Sequence, residues 1–171
     1  MRETANSTSD APIRVRLATE ADRARLIPLV NAAFSIETFL EGTRTDEERL
    51  AATMRKGDIL LAELAIQDQR GEPVGCIYTE VRGERGYMGM LAVDPARQGT
   101  GLAGLLVRAA EGHLRGQRCV AVDISVLSLR PELLPLYRRF GFVETGREEF
   151  AFSRELKPGA ECHCIVMSKP L

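Results

Sequence analysis

The chain has almost no net charge. Its 171 residues carry 23 Lys and Arg against 24 Asp and Glu, a formal charge of -1. That balance excludes a protein that holds nucleic acid through bulk positive charge. Long hydrophobic runs are also missing: no apolar stretch approaches the ~18–20 residues of a membrane span. The opening residues 1–12 (MRETANSTSDAP) have no apolar core, so no secretory signal is visible. Cysteine is sparse, with Cys76, Cys119, Cys162 and Cys164 in a chain too long to need a disulfide framework. Three of the four fall in apolar, strand-like runs, as buried free thiols do. These absences predict a soluble, cytoplasmic protein without membrane or nucleic-acid partners. What is present is ordinary globular composition, 44% hydrophobic and 27% charged. A chain of this length buries roughly two-thirds of its unfolded surface on folding.

Periodicity orders the chain. Residues 1–12 read as a disordered arm, and residues 13–171 as one domain. Ile13 to Leu17 alternates apolar and charged side chains, the period of a half-buried strand. Thr19-Glu20-Ala21-Asp22 has the form of a capping box. A helix burying Leu26, Leu29, Val30 and Ala33 should follow, kinked or interrupted at Pro28. Thr45-Asp46-Glu47-Glu48 repeats the cap, for a helix ending before Gly57. Strands are expected over 59–66, 74–81 and 87–93, with polar turns at 68–73 and 82–86 and a bulge at Gly89. A helix over 101–115 precedes a buried strand over 119–127. A short helix over 131–140 precedes strands over 142–150 and 162–167. The order β-α-α-β-β-β-α-β-α-β-β is that of a mixed α/β domain.

Chemistry concentrates where a strand runs through Leu91-Ala92-Val93-Asp94-Pro95 into Arg97-Gln98-Gly99-Thr100-Gly101-Leu102-Ala103-Gly104. The first N–H groups of a helix have no intrahelical partner, and the helix dipole adds positive potential there. Glycines let a phosphate approach that backbone closely, and Arg97 adds a charge. The P-loop pattern is absent, since no Gly-Lys-Ser/Thr occurs. The dinucleotide fingerprint fits poorly, because three strands come first and the ribose-binding acid is missing.

Gln98-Gly99-Thr100-Gly101-Leu102-Ala103 matches Gln/Arg-x-x-Gly-x-Gly/Ala, the acetyl-coenzyme A signature of the GNAT N-acetyltransferases. Leu136-Tyr137-Arg138-Arg139-Phe140-Gly141-Phe142 resembles that family's Leu-Tyr-x-x-x-Gly-Phe element. Its Tyr137 lies 39 residues after Gln98. The resemblance spans Ile13 to the end. It implies a mostly antiparallel sheet of six to seven strands, splayed between the fourth and fifth, flanked by about four helices. It implies acetyl-CoA as co-substrate, held by the backbone at Leu91, Ala92 and Val93 and by Arg97, Gln98, Gly99, Thr100, Gly101, Leu102, Ala103 and Gly104. Gly104 serves equally as a close helix-packing position. Direct acetyl transfer to an amine of a small molecule or peptide is the implied reaction, with Tyr137 as general acid. Family members often dimerise, so a homodimer is expected.

The general base is not carried over so simply. Where subgroups of the family place a Glu, this chain has Tyr87 and Ser125, and Arg130 replaces a frequent Asn. Asp123 and Glu80 are the carboxylates left on the neighbouring strands, Asp123 being equally a structural carboxylate. A water relay is the other route to deprotonation. Glu37, Phe39 and Glu41 fall in the loop that meets the acceptor in the family, where carboxylates would favour a cationic amine. Phe150 and Phe152 wall the site or simply pack. Cys162-His163-Cys164 does not make a metal site: on a strand His163 points away from the two thiols, and no second cluster completes four ligands. The missing family carboxylates also suit a non-catalytic acyl-CoA-binding or sensing domain.

Overall fold

The computed structural model describes residues 11–65 and 70–171. One sheet contains β1 (Ile13–Leu17), β2 (Asp58–Leu64), β3 (Pro73–Arg82), β4 (Arg85–Val93), β5 (Ala121–Leu127), β6 (Val143–Glu149) and β7 (His163–Pro170). Across the sheet the order is β1-β2-β3-β4-β5-β7-β6. Neighbours are antiparallel except β4 and β5, which run parallel. The helices are α1 (Arg23–Ala33), α2 (Glu47–Lys56), α3 (Leu102–Gly116) and α4 (Leu133–Arg139). This is the mixed, mostly antiparallel sheet that the sequence predicts. No helix among the described residues is long and apolar enough to cross a membrane.

Helices cover both faces of the sheet, so its central strands are apolar on both. On β2, Ile59 and Leu61 pack with Leu26, Leu29 and Val30 of α1 and Leu50 of α2. Leu60, Ala62 and Leu64 pack on the opposite face with Leu102, Leu106, Ala110 and Leu114 of α3. That double burial explains why β2 reads as a continuous apolar run instead of an alternating one.

A bulge in β4 sets the geometry of everything downstream. Cys76 pairs with Ala92 and Tyr78 with Gly89, so Met90 and Leu91 together oppose Ile77. The extra residue is absorbed at Met90, whose φ is 47°, one position after the glycine that the sequence suggested. An inserted residue reverses the facing of every side chain beyond it. Before the bulge, Met88 faces α3 and Tyr87 faces α1. After it, Leu91 and Val93 face α3, while Met90 and Ala92 face α1.

Several local expectations are sharpened. The arginine face of β1 is not a solvated face. Arg14 and Arg16 both bind Glu63, and Arg16 also binds Asp22 at 2.8 Å, with both carboxylates fully buried. Thr19 leads a short 3-10 turn (Glu20–Asp22) into α1, and α1 runs through Pro28 without interruption. Asp46, not Thr45, caps α2, accepting from Arg49 N–H at 2.9 Å. Thr45 is already committed, its N–H donating to Asn31 Oδ1 at 2.9 Å. Gly57 is extended and is required by close approach, since a Cβ there would strike the Thr79 carbonyl. β6 is exposed along its whole length, because β7 lies between it and β5. The expected arm falls mainly on residues 1–10, outside the described residues. Pro12 is tied down, its carbonyl accepting from Ala65 N–H at 2.7 Å. Ile66 and part of the turn expected at 68–73 are also outside the described residues.

Candidate active site

β4 and β5 pair only at Arg85 with Ala121, Gly86 with Val122 and Tyr87 with Asp123. Past Tyr87 the pairing stops, and the β4 edge faces a cleft instead of a neighbour. The cleft has a volume of about 860 Å³ and is walled by Met88, Leu91 and Val93 on one side and Ile124, Ser125 and Val126 on the other. Unpaired strand edges present rows of free N–H and C=O groups, and such a row can hold an extended, amide-bearing ligand.

The glycine-rich turn closes one end of this cleft. Asp94 ties a short 3-10 turn (Pro95–Arg97) by accepting from Ala96 N–H at 3.0 Å. The Thr100 hydroxyl donates to the Arg97 carbonyl at 2.6 Å. Gly99 and Gly101 take φ of 78° and 84°, the left-handed region in which side chains are strained. Gly101 is the N-cap of α3, and the first helical bond of the turn runs from Leu105 N–H to its carbonyl. The N–H groups of Leu102, Ala103 and Gly104 are therefore without helical acceptors at the cleft. Arg97, Gln98, Gly99, Gly101, Leu102, Ala103 and Gly104 all line it. Two predicted residues do not. Ala92 is buried beneath α1, on the face the bulge gave it, and Thr100 serves the turn. Gly104 lines the cleft and is also closely packed: a Cβ there would lie 3.1 Å from Arg108 Nη1 and 3.3 Å from the Phe140 ring.

Tyr137 of α4 faces the cleft from the side of β5. Phe140 and Phe142 hold its ring edge-on at centroid distances of 6.3 and 5.8 Å. Burial, reinforced by Tyr87 and opposed by Arg130, pushes its phenol up to about 12. None of the hydrogen bonds among the described residues uses the Tyr137 hydroxyl.

The two carboxylates expected near the base position lie elsewhere. Asp123 is gripped by Arg85 at 2.7 and 2.5 Å and accepts from the Ser168 hydroxyl at 2.5 Å. These partners hold its pKa below the usual carboxylate value, and it sits at the closed end of the splay, outside the cleft lining. Glu80 accepts from Arg82 at 3.0 Å and from the Tyr78 hydroxyl at 2.8 Å, and these contacts lower its pKa. It lines a smaller pocket of about 310 Å³ beside the main cleft. Tyr87 and Ser125, which stand in place of the expected carboxylates, do line the main cleft.

On the acceptor side the loop between α1 and α2 divides. Glu37 is buried in the cleft wall; Glu41 is exposed; Phe39 packs with Leu40, Phe150 and Phe152 in a small separate cluster. Phe152 alone of the two expected wall residues reaches the cleft. Glu37 binds Arg130 at 3.2 Å and Arg154 at 3.0 Å. Burial raises its pKa, and the Arg130, Arg44 and Arg154 charges oppose that rise. Arg44, Arg108, Arg139 and Arg154 are cleft residues that sequence reasoning missed. Arg44 and Arg154 carry no local signal and gain significance from where the chain returns; Arg108 lies two turns into α3, and Arg139 occupies a variable position of the Leu-Tyr-x-x-x-Gly-Phe element. Among the described residues, no group of three or more His, Cys, Asp or Glu could hold a metal ion.

A family model described as an acetyltransferase (GNAT) domain matches residues 29–153. The N-alpha-acetyltransferase 30 of Saccharomyces cerevisiae is 30% identical over 95 residues, 51% of this chain and 54% of that protein. The chain thus spans about half the length of the curated relative it matches. A ribosomal-protein-alanine N-acetyltransferase from Brucella melitensis superposes with a TM-score of 0.72 at 20% identity, over 92% of this chain and 99% of that one. A chain of the NatC complex bound to Gag peptide and CoA gives 0.71 at 20% identity, over 93% and 98%. At these identities the two structures speak for the fold alone.

Proposed function

The chain belongs to the GNAT acetyltransferase family, and from that premise we propose that it moves the acetyl group of acetyl-CoA directly onto a primary amine of a small molecule or peptide. The observation that carries this reading is the meeting, on one cleft, of an open β4 edge and a left-handed glycine turn at the head of α3. The residues fit the co-substrate: free backbone at Leu91 and Val93 for its amides, unpartnered N–H groups at residues 102–104 for its pyrophosphate. Arg97, Arg108 and Arg139 supply compensating charge. Bound there, acetyl-CoA supplies an activated thioester carbonyl and a thiolate leaving group.

Each remaining task falls to a residue of the chain. Tyr137 stays protonated throughout the neutral range and donates a proton to the departing sulfur. Tyr87 and Ser125 offer hydroxyls that can order a water next to the amine. Glu37, the carboxylate of the predicted acceptor loop that lines the cleft, is held by Arg130 and Arg154 and serves to fix that wall of the site. Holding amine and thioester together contributes much of the rate by itself.

A second reading, a non-catalytic acyl-CoA-binding domain, draws support from the placement of Asp123 and Glu80 away from the cleft. Thiol release from acetyl-CoA over a broad amine panel separates the two. Amine-dependent release supports the transferase; tight acetyl-CoA binding without it supports the binding domain.

A further inference from the structure

Like Arg97, Arg108 and Arg139, Arg44 is a cleft arginine that makes no ion pair among the described residues, and of these four it is the one on the loop expected to meet the acceptor. It lies in the loop between α1 and α2, half-buried, with its guanidinium carbon 5.1 Å from the centroid of the Phe34 ring. Among the described residues it takes part in no hydrogen bond and no ion pair. Its nitrogens nevertheless are not sealed in the core, since it lines both the main cleft and the smaller pocket next to it. Burial presses its pKa down, the signature of a charge that gains when an anion arrives.

The charges around it are already spent. The two Glu37 oxygens are taken by Arg130 and Arg154. Arg49 is bound to Asp46 at 2.8 Å. In the smaller pocket, Arg44, Arg49, Lys56 and Arg82 face a single carboxylate, Glu80, which Arg82 occupies. Where that loop meets the cleft its carboxylate, Glu37, is paired, and its arginine, Arg44, is not.

We infer that Arg44 is an acceptor-recognition residue that binds a carboxylate carried by the amine substrate, at the junction between the cleft and the smaller pocket. The guanidinium matches a carboxylate in plane and in donor spacing. Phe34 under it fixes the plane without using any donor. The inference rests on the acetyl-transfer reading of the cleft and names the substrate class for it: amines that also bear a carboxylate, either small amino acids or peptides with an acidic residue near the amine.

Paired amines that differ only in charge test it. Initial rates with acetyl-CoA are compared for β-alanine and β-alaninamide, and for the C-terminally amidated dipeptides Ala-Asp-NH2 and Ala-Asn-NH2. At least one carboxylated member should exceed its amide by about tenfold or more in kcat/KM. Arg44→Gln should erase that preference, with the loss in KM, and Arg44→Lys should restore part of it. Binding is read separately by Tm in the presence of CoA, where the carboxylated amine should raise Tm more than its amide does. Acetyl-CoA binding with no preference for the carboxylated amines in either readout overturns the inference and leaves the transferase reading standing. Failure of the wild type to bind acetyl-CoA overturns both.

Discussion

Arg154 and Glu37, 117 residues apart in sequence, meet at 3.0 Å with both side chains only 6% exposed. Arg154 also donates to the carbonyls of Glu41 and Gly42, each at 3.0 Å. One guanidinium therefore holds both the cleft carboxylate and the backbone of the loop that carries it. Removing Arg154 leaves the buried Glu37 carboxylate with Arg130 alone and takes the donor from the Glu41 and Gly42 carbonyls. Arg154→Ala should cost about 3–5 kcal/mol of stability by urea unfolding, and a loss under about 1 kcal/mol, the range of an exposed pair, would contradict the buried pairing.

Acid should loosen the β1–β2 edge. The Arg16 guanidinium holds the Asp22 carboxyl far below its usual value, and the Thr19 N–H adds to this. A depressed pKa contributes stability above the unfolded value, near ~3.9, and that stability is lost as pH falls through the folded value. Asp22→Asn should thus be less stable than the wild type at pH 7. The gap should narrow steadily below about pH 4. A gap of constant size from pH 7 to pH 2.5, by urea titration, would refute the linkage.

Tyr137→Phe should lower kcat by about 10²-fold or more while changing acetyl-CoA affinity little. With its phenol pushed up to about 12, Tyr137 cannot produce an alkaline limb between pH 8 and 10. Any such limb in the wild-type pH–rate profile should survive unchanged in its position in the residual activity of Tyr137→Phe.

Asp123→Asn should stay within about threefold of the wild-type kcat, far from the ~10²-fold loss expected of a general base. Its pairing with Arg85 is partly solvent-exposed, so the stability cost should be about 0–1 kcal/mol.

Two glycines of one helix should respond in opposite directions. Gly101 holds φ 84° at the head of α3; Gly101→Ala should cost about 1–2 kcal/mol and weaken acetyl-CoA binding in calorimetric titration. Gly112, in the helix interior, has nothing within 4 Å of a would-be Cβ. Gly112→Ala should add about 0.5–1 kcal/mol through helix propensity and leave acetyl-CoA binding unaltered.

What could be read from the sequence was whatever is local. β1 begins and ends where its alternation does, and α3 begins just after the glycine turn that announces it. Tyr137 reaches the cleft because a seven-residue motif carries its own turn. The acceptor side was not readable, because its chemistry is made by return of the chain: Glu37 meets Arg130 and Arg154 from far downstream. Asp123 looked available because strand alternation gives a side chain's facing but not its partner, and Arg85 reaches it across the parallel pair. The bulge was misplaced by one residue since Gly89 has the permissive residue type, while register sets the strain at Met90.

The strand order β5-β7-β6 has a kinetic consequence. β7 follows β6 in the chain yet lies inside it in the sheet. Until residues 163–170 are in place, β5 shows a bare edge on that side and β6 has nothing to pair with. Closing the sheet therefore waits on a late, non-local insertion, the kind of step that slows folding and leaves strand edges open to other molecules. In pulsed hydrogen exchange during refolding, amides of the β2–β3–β4 meander should gain protection first, and those of β6 and β7 together at the end.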